Sequence, residues 1–422
     1  MDSLPYVPAA VTLALLVPVA LLGRRLAKLL RQPEIVGEIM ACLLLGALLA
    51  SQWHWKPATM DGGAVLEKAG HLGLALFLVG AVHEIRAGGS RLGGRTIALT
   101  ATGSLLLPLG CGVAFAAWVL ADGSPALRGG APAGVLVLML AIALAVTAVP
   151  VLAGILDDRG MLNTAIGRLC MAVAVSIDAV TWSLLAIAVG LSHGGGKITP
   201  YLVFVVGLLG AWAIRRTGGL PGPRAWAERI PVAVPIGLTT AAAVAAALTT
   251  SRLGLTDVLG AVLVALALPG DNGTGPWTRA ANTVGGWGRF VLPLLFTVTG
   301  MGLASAPLSV FSWQAVLLSV ALAIFGKLVG SYFGARAAGR PPVECMRVAV
   351  FLNARGLTEL AVLQTGYQAG ILTPALFLAL VVMALFTTVL SGPLLWAIDR
   401  RTAAADADAP RTAEPVPYPV ER

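Results

Sequence analysis

Apolar residues run in long blocks along almost the whole chain, each roughly 17 to 25 residues long and parted by short joins rich in Gly, Pro and charge. Blocks of that length cross a bilayer core as helices, and none shows the period-2 alternation of an outer-membrane strand. The pattern therefore predicts an all-α polytopic membrane protein. Thirteen spans are placed near 7–27, 35–50, 66–86, 95–120, 132–156, 162–191, 198–214, 232–249, 254–268, 284–303, 311–337, 343–369 and 373–397. No small-residue cleavage site precedes Arg24-Arg25, so the first block is expected to be a retained helix rather than a signal peptide.

Two spans break the pattern in mid-membrane. Span 5 contains Val146-Thr147-Ala148-Val149-Pro150, where the proline removes a backbone donor and the threonine offers an oxygen. Span 12 contains Asn353-Ala354-Arg355-Gly356-Leu357-Thr358-Glu359, polar and interrupted by glycine. Interruptions at matching places in two halves point to an inverted repeat of spans 2–6 and 9–13, with the breaks at Pro150, Asn353 and Gly356 in the fourth span of each half. Equivalent spans lie seven apart, an odd number, so the halves run in opposite directions. Ordinary proline and glycine kinks are the bland alternative.

Charge fixes the sidedness. Loops after odd-numbered spans hold 17 Lys and Arg, and loops after even-numbered spans hold 5. This asymmetry predicts an N-terminus outside and a C-terminus in the cytoplasm of a cell membrane. Residues 1–401 then form one transmembrane domain. Residues 402–422, rich in Ala, Asp and Pro, are expected to be a short disordered cytoplasmic tail without an appended nucleotide-binding domain.

Composition agrees with a bundle in lipid. The chain is 57% hydrophobic and 12% charged, against about 25% charged in soluble domains. A net charge of +9 is ascribed to cytoplasmic loops rather than to nucleic acid. Cys42, Cys111, Cys170 and Cys345 form no CxxC or Cys/His cluster and read as packing residues. No P-loop, metal-protease helix or nucleophile elbow occurs, so an enzymatic or ATP-driven function lacks a site, and no cofactor is implied. His71 and His83 flank span 3 as interfacial polar residues, with pH sensing as the sharper reading. His193 is placed in an outside turn. Trp53, Trp55, Trp212 and Trp396 read as interfacial anchors.

The candidate chemistry lies in charges that lipid would penalise. Asp178 in span 6, Lys327 in span 11 and Arg355 in span 12 are deep, with Glu359 one turn beyond Arg355. Each must face a polar interior or a partner. Lys327 stands among Gly326, Gly330 and Gly334, whose spacing makes a smooth face for close helix contact at the crossing point. Arg355 and Glu359, four apart, form a pair on one face or serve the site, Arg355 by neutralising freed carbonyl ends. Asp178 is expected to take a proton and a metal cation in turn, with the Thr147 hydroxyl and carbonyls freed by Pro150 as hard oxygen ligands for the transported ion. An inert Asp178–Lys327 salt bridge is the structural alternative.

These residues resemble the monovalent cation:proton antiporter-2 family of Kef- and Nha-type exchangers. The resemblance runs from Gln32-Pro33-Glu34-Ile35-Val36-Gly37-Glu38-Ile39 through the Thr147 segment and Asp178. It continues through Pro293-Leu294-Leu295-Phe296 with Gly300, Lys327, Asn353 to Glu359 with Leu360, and Gly392-Pro393, covering roughly residues 10–397. It implies a Na⁺/H⁺ antiporter-like fold and a homodimer. It further implies a dimerisation domain beside a mobile core, here spans 4–6 and 11–13, that exchanges H⁺ for Na⁺ or K⁺ by alternating access. Family members place Asn or Asp before the span 6 acid, where this chain has Ile177. One carboxylate at the site favours one proton per cation, although a Lys327 that releases its proton would supply a second. A proton-coupled exporter of an organic or ionophore-type cation is the alternative function, and a gated channel or receptor on a transporter fold the third.

Overall fold

The computed structural model describes residues 7–30, 32, 34–53, 61–87, 93–162, 164–192, 199–218, 220, 227–253, 257–269, 275–304 and 311–408. The regular structure of these residues is helical, with no strand among them. The first five helices are α1 (Val7–Leu29), α2 (Glu34–Trp53), α3 (Asp61–Ala87), α4 (Gly94–Asp122) and the single turn α5 (Pro125–Arg128). Span 5 is split into α6 (Ala133–Ala145) and α7 (Val149–Asp158), and α8 (Ala165–Ser192) follows. Next come α9 (Thr199–Gly218), α10 (Ala233–Arg252), α11 (Asp257–Ala267), α12 (Pro276–Ala304) and α13 (Trp313–Ala337). Span 12 is likewise split, into α14 (Pro342–Leu352) and α15 (Leu357–Gln368), and α16 (Pro374–Asp408) ends the described chain. Seven of these helices (α2, α3, α4, α8, α10, α13 and α16) contain stretches long and apolar enough to cross a membrane unaided.

Two differences from the expected map have simple causes. Helix α12 begins at Pro276 rather than near 284, because the first turns, Trp277-Thr278-Arg279-Ala280-Ala281-Asn282, are polar yet compatible with a helix whose N1 residue is proline. Helix α16 continues past Arg401 to Asp408, which corrects the expectation that disorder starts at residue 402. The run Ala403-Ala404-Ala405 favours helix, and Pro410 disfavours its continuation. The rest of the expected tail, Trp55 and His193 lie outside the described residues.

The helices sort into two packed groups. In one, α12 lies against α2 and α3, α1 against α2, and α10 and α11 against the α3 side. In the other, α4 packs along α13 and against α6, while α14 and α16 pack on α13 and α8 packs on α6. The second group comprises the helices of spans 4–6 and 11–13. Small residues bring the axes together, as expected where lipid supplies no hydrophobic drive between helices. A Cβ on Gly330 of α13 would overlap the carbonyl oxygen of Gly103 on α4, and one on Gly37 of α2 would overlap that of Gly23 on α1. Ser104 Oγ donates to Ser331 Oγ at 2.8 Å across the same α4–α13 seam.

Outward faces are apolar, as a bilayer requires. Leu13, Leu21, Leu22 and Leu26 on α1, Leu209 and Trp212 on α9 and Phe325 and Phe333 on α13 are exposed. The anchors Trp212 and Trp396 carry the guanidinium groups of Arg216 and Arg400 over their rings, at 5.7 and 4.7 Å. Such pairs suit an interface where one end is apolar and the other wet. His83 is not interfacial in its contacts. It is 3% exposed, and its Nε2 lies 3.0 Å from Thr278 Oγ1 between α3 and α12. All four cysteines are buried free thiols.

Candidate functional site

The two interruptions meet. Helix α6 stops at Ala145, residues 146–148 are extended, and α7 starts at Val149 with Pro150 in its first turn. A proline there costs nothing in donors, since first-turn N–H groups have no intrahelical partner. Helix α14 stops at Leu352, and α15 begins after Gly356, whose φ of 147° is left to glycine because a Cβ would strain the backbone and approach Val151 Cγ2 at 2.8 Å. Ala148 N–H donates to the carbonyl oxygen of Ala354 at 3.3 Å, and Thr358 Oγ1 donates to that of Thr147 at 3.3 Å. The unwound segments thus cross and bond to each other.

The last carbonyls of α6 would be orphaned in mid-membrane. Two cations satisfy them. Arg355 donates from Nη1 to Ala143 O at 2.9 Å and from Nη2 to Leu144 O, while Lys327 Nζ donates to Ala145 O and, at 3.1 Å, to Ser104 O. Both side chains are 0% exposed. A helix C-terminus carries partial negative charge, so cations at that end are stabilised. Arg355 Nη1 also pairs with Glu359 Oε1 at 2.9 Å, and Glu359 sits in the first turn of α15, where an acid complements the dipole. The expected cap and the expected Arg355–Glu359 pair are therefore both present, on one guanidinium.

Asp178 stands apart from this bonding. It lies on α8, which packs against α6, α7 and α14, and it is 7% exposed with Oδ1 lacking any hydrogen-bond partner. It forms no ion pair with Lys327, whose ammonium is spent on carbonyls, so the inert Asp178–Lys327 bridge is absent. Other buried oxygens at the crossing are equally unpartnered: Thr147 Oγ1, Asn353 Oδ1 and Glu359 Oε2. Ile177, beside the acid, is buried with the apolar core and leaves Asp178 as the carboxylate of α8 in this region.

Matching a sequence model of the transmembrane sodium/hydrogen exchangers, residues 11–398 cover nearly all of the described chain. The chain belongs to the sodium/hydrogen exchanger family. Cation/H(+) antiporter 18 of Arabidopsis thaliana is 32% identical over 410 residues, which cover 92% of this chain and 49% of the relative. This chain thus spans about half the length of the Arabidopsis relatives it matches. Na(+)/H(+) antiporter NhaS4 of Synechocystis is 29% identical, with 86% of this chain and 90% of the relative covered. The solved sodium proton antiporter MjNhaP1 of Methanocaldococcus jannaschii shares the fold, with a TM-score of 0.60, 18% identity and 93% and 98% coverage. The family is one of ion antiporters in a membrane, not of enzymes.

Within this family member, several site residues escaped the sequence reading. Thr388 of α16 accepts the Arg355 N–H at 3.1 Å and donates to the Arg355 carbonyl at 2.7 Å, so it clamps the backbone of the second break. Asn353 Nδ2 donates to Thr387 O at 3.4 Å. The adjacent Thr387-Thr388 in mid-span was the available signal. Ser104 contributes through its carbonyl, which leaves no trace in a sequence.

Proposed function

We propose that this chain is a secondary transporter that exchanges protons for Na⁺ or K⁺ by alternating access. The observation that carries the reading is the buried Asp178 Oδ1 without a hydrogen-bond partner, on a helix packed against the helices that flank the two breaks, whose cations are already committed. A buried acid left without a cation is stabilised either by a proton or by a metal ion, and the two exclude each other. Thr147 Oγ1 and backbone carbonyls of the crossing supply hard oxygens of the kind that monovalent cations need once dehydrated.

In this mechanism Lys327 and Arg355 cap the end of α6 through its last carbonyl oxygens. They hold α6 open-ended, so that its partial charge stays balanced whether Asp178 carries H⁺ or the cation. One exchanging carboxylate gives one proton per cation. The helices of spans 4–6 and 11–13 move as a core against the remaining helices and present Asp178 to each side in turn, and the chain works as a homodimer. Its N-terminus is outside and its C-terminus cytoplasmic, in the cell membrane, as the positive-charge asymmetry indicates. Names of relatives that specify cation/H⁺ and Na⁺/H⁺ exchange support the same reading.

Everted vesicles holding an imposed pH gradient provide the test. Addition of Na⁺ or K⁺ should collapse the gradient with the parent protein and leave it intact with Asp178→Asn, which keeps the size of the side chain. If the Asn variant, at equal abundance in the membrane, dissipates the gradient like the parent, Asp178 is not the exchanging group.

A further inference from the structure

Away from the crossing, a groove of about 540 Å³ opens on the outer face of the second helix group, between α13, α14 and α16. Its walls are apolar, formed among others by Val329, Phe333, Met346, Leu394 and Ile398, with Phe333 63% exposed beside it. A groove in this position opens sideways into the hydrocarbon of the membrane, so it suits an acyl chain and not a soluble ligand. One end differs. Arg401 lines it, and Arg336 lies one turn beyond Tyr332, another lining residue, on α13.

The charges around that end are unevenly committed. Glu344 is engaged by Arg340 at 3.4 Å, and Asp399 by Arg159 at 2.7 Å and Arg347 at 3.1 Å. Arg336 donates from Nη1 to Arg340 O at 3.1 Å, and neither Arg336 nor Arg401 pairs with an acid among the described residues. Arg400 is laid over Trp396 at 4.7 Å, which marks the interfacial level. Arg401, which lines the groove, and Arg336, one turn beyond the lining Tyr332, thus place two guanidinium groups without acid partners among the described residues toward one end of an apolar groove, on the side where the loops concentrate Lys and Arg.

We propose that this groove binds one anionic phospholipid of the cytoplasmic leaflet, its acyl chain along α13 and α16 and its phosphate on Arg401 and Arg336. Basic pockets between membrane helices on that side recognise anionic headgroups, and guanidinium groups suit phosphate geometry. A zwitterionic lipid offers the same tail without the net charge, and a second copy of the chain would bring apolar residues without an anion. The lipid would bridge α13, which carries Lys327, to α14 and α16, so its effect would be read first as stability of this helix group.

The test uses the full chain in detergent with cardiolipin, phosphatidylglycerol or phosphatidylcholine of matched acyl chains, read by native mass spectrometry and thermal unfolding. Anionic lipids should remain bound at one per chain and raise the melting temperature, while phosphatidylcholine and inorganic phosphate should not. Arg401→Gln and Arg336→Gln should each weaken anionic-lipid binding about fivefold. Ala397→Trp, at an exposed position lining the groove, should abolish it while leaving both arginines. Unfolding without added lipid controls for the fold of each variant. Equal binding of phosphatidylcholine, undiminished binding by Ala397→Trp, or a melting shift that follows dimerisation instead of lipid would overturn the assignment.

Discussion

Ala148 donates its N–H to the carbonyl oxygen of Ala354 at 3.3 Å, so the two broken helices are tied to each other at the point where each lacks its own hydrogen bonds. Neither break could persist alone in a membrane, because unsatisfied backbone groups there cost several kcal/mol each. Together with Arg355, Lys327 and Thr388 they form one bonded unit. Within it Thr147 Oγ1, Asn353 Oδ1 and Glu359 Oε2 lack hydrogen-bond partners, as does Asp178 Oδ1 on the adjoining α8.

Arg355 is the residue whose loss should cost most. Arg355→Gln leaves Glu359 as a buried acid without its cation and frees the carbonyls of Ala143 and Leu144, a loss of about 3–5 kcal/mol by analogy with broken buried pairs. The double variant Arg355→Gln/Glu359→Gln should be less unstable than the sum of the singles. Thermal unfolding of all four proteins in one detergent measures this coupling.

Lys327 should prove a cap and not a proton carrier. Its Nζ meets two carbonyl oxygens, both pure acceptors. Lys327→Gln retains two donors on a shorter stem, and should lower the melting temperature while proteoliposomes still exchange one proton per cation. A change from voltage-insensitive to voltage-sensitive transport, or the reverse, under clamped membrane potential would show that the lysine takes part in the proton count.

Gly356→Ala should destabilise the second break by about 1–3 kcal/mol, since a Cβ is strained at a φ of 147° and lies 2.8 Å from Val151 Cγ2. Gly370→Ala serves as the comparison, because that glycine also has positive φ, 69°, yet nothing stands near its Cβ. The first variant should lose the larger share of stability, as read by thermal unfolding.

At the membrane edge, Asp158 accepts the N–H of Glu34 at 2.9 Å and joins the end of α7 to the start of α2. Burial raises its carboxyl above the ordinary aspartate value, with the N–H of Glu34 opposing and the Glu34 and Asp157 charges reinforcing the shift. The folded protein therefore keeps this proton to higher pH than the unfolded chain. Stability from this group is fullest below the ordinary value and falls as pH rises through the raised one. Asp158→Asn should flatten that part of the melting-temperature profile; an unchanged profile would exclude Asp158 as its source.

The sequence by itself determined that this is a helical membrane protein, where its helices break, and which charges lie too deep to face lipid. Those properties are local or compositional: a run of apolar residues, a proline, a glycine, a lone Asp178 in span 6. Partner choice was decided only in three dimensions. The direct Asp178–Lys327 bridge that stood as the structural alternative is not formed, because the lysine's acceptors are main-chain carbonyls of Ser104 and Ala145, which every residue possesses and no sequence marks. The same holds for Thr388 around Arg355, and for the Ala148–Ala354 bond between the two breaks. Both depend on which helices touch, and that is fixed by where small residues let one backbone come against another.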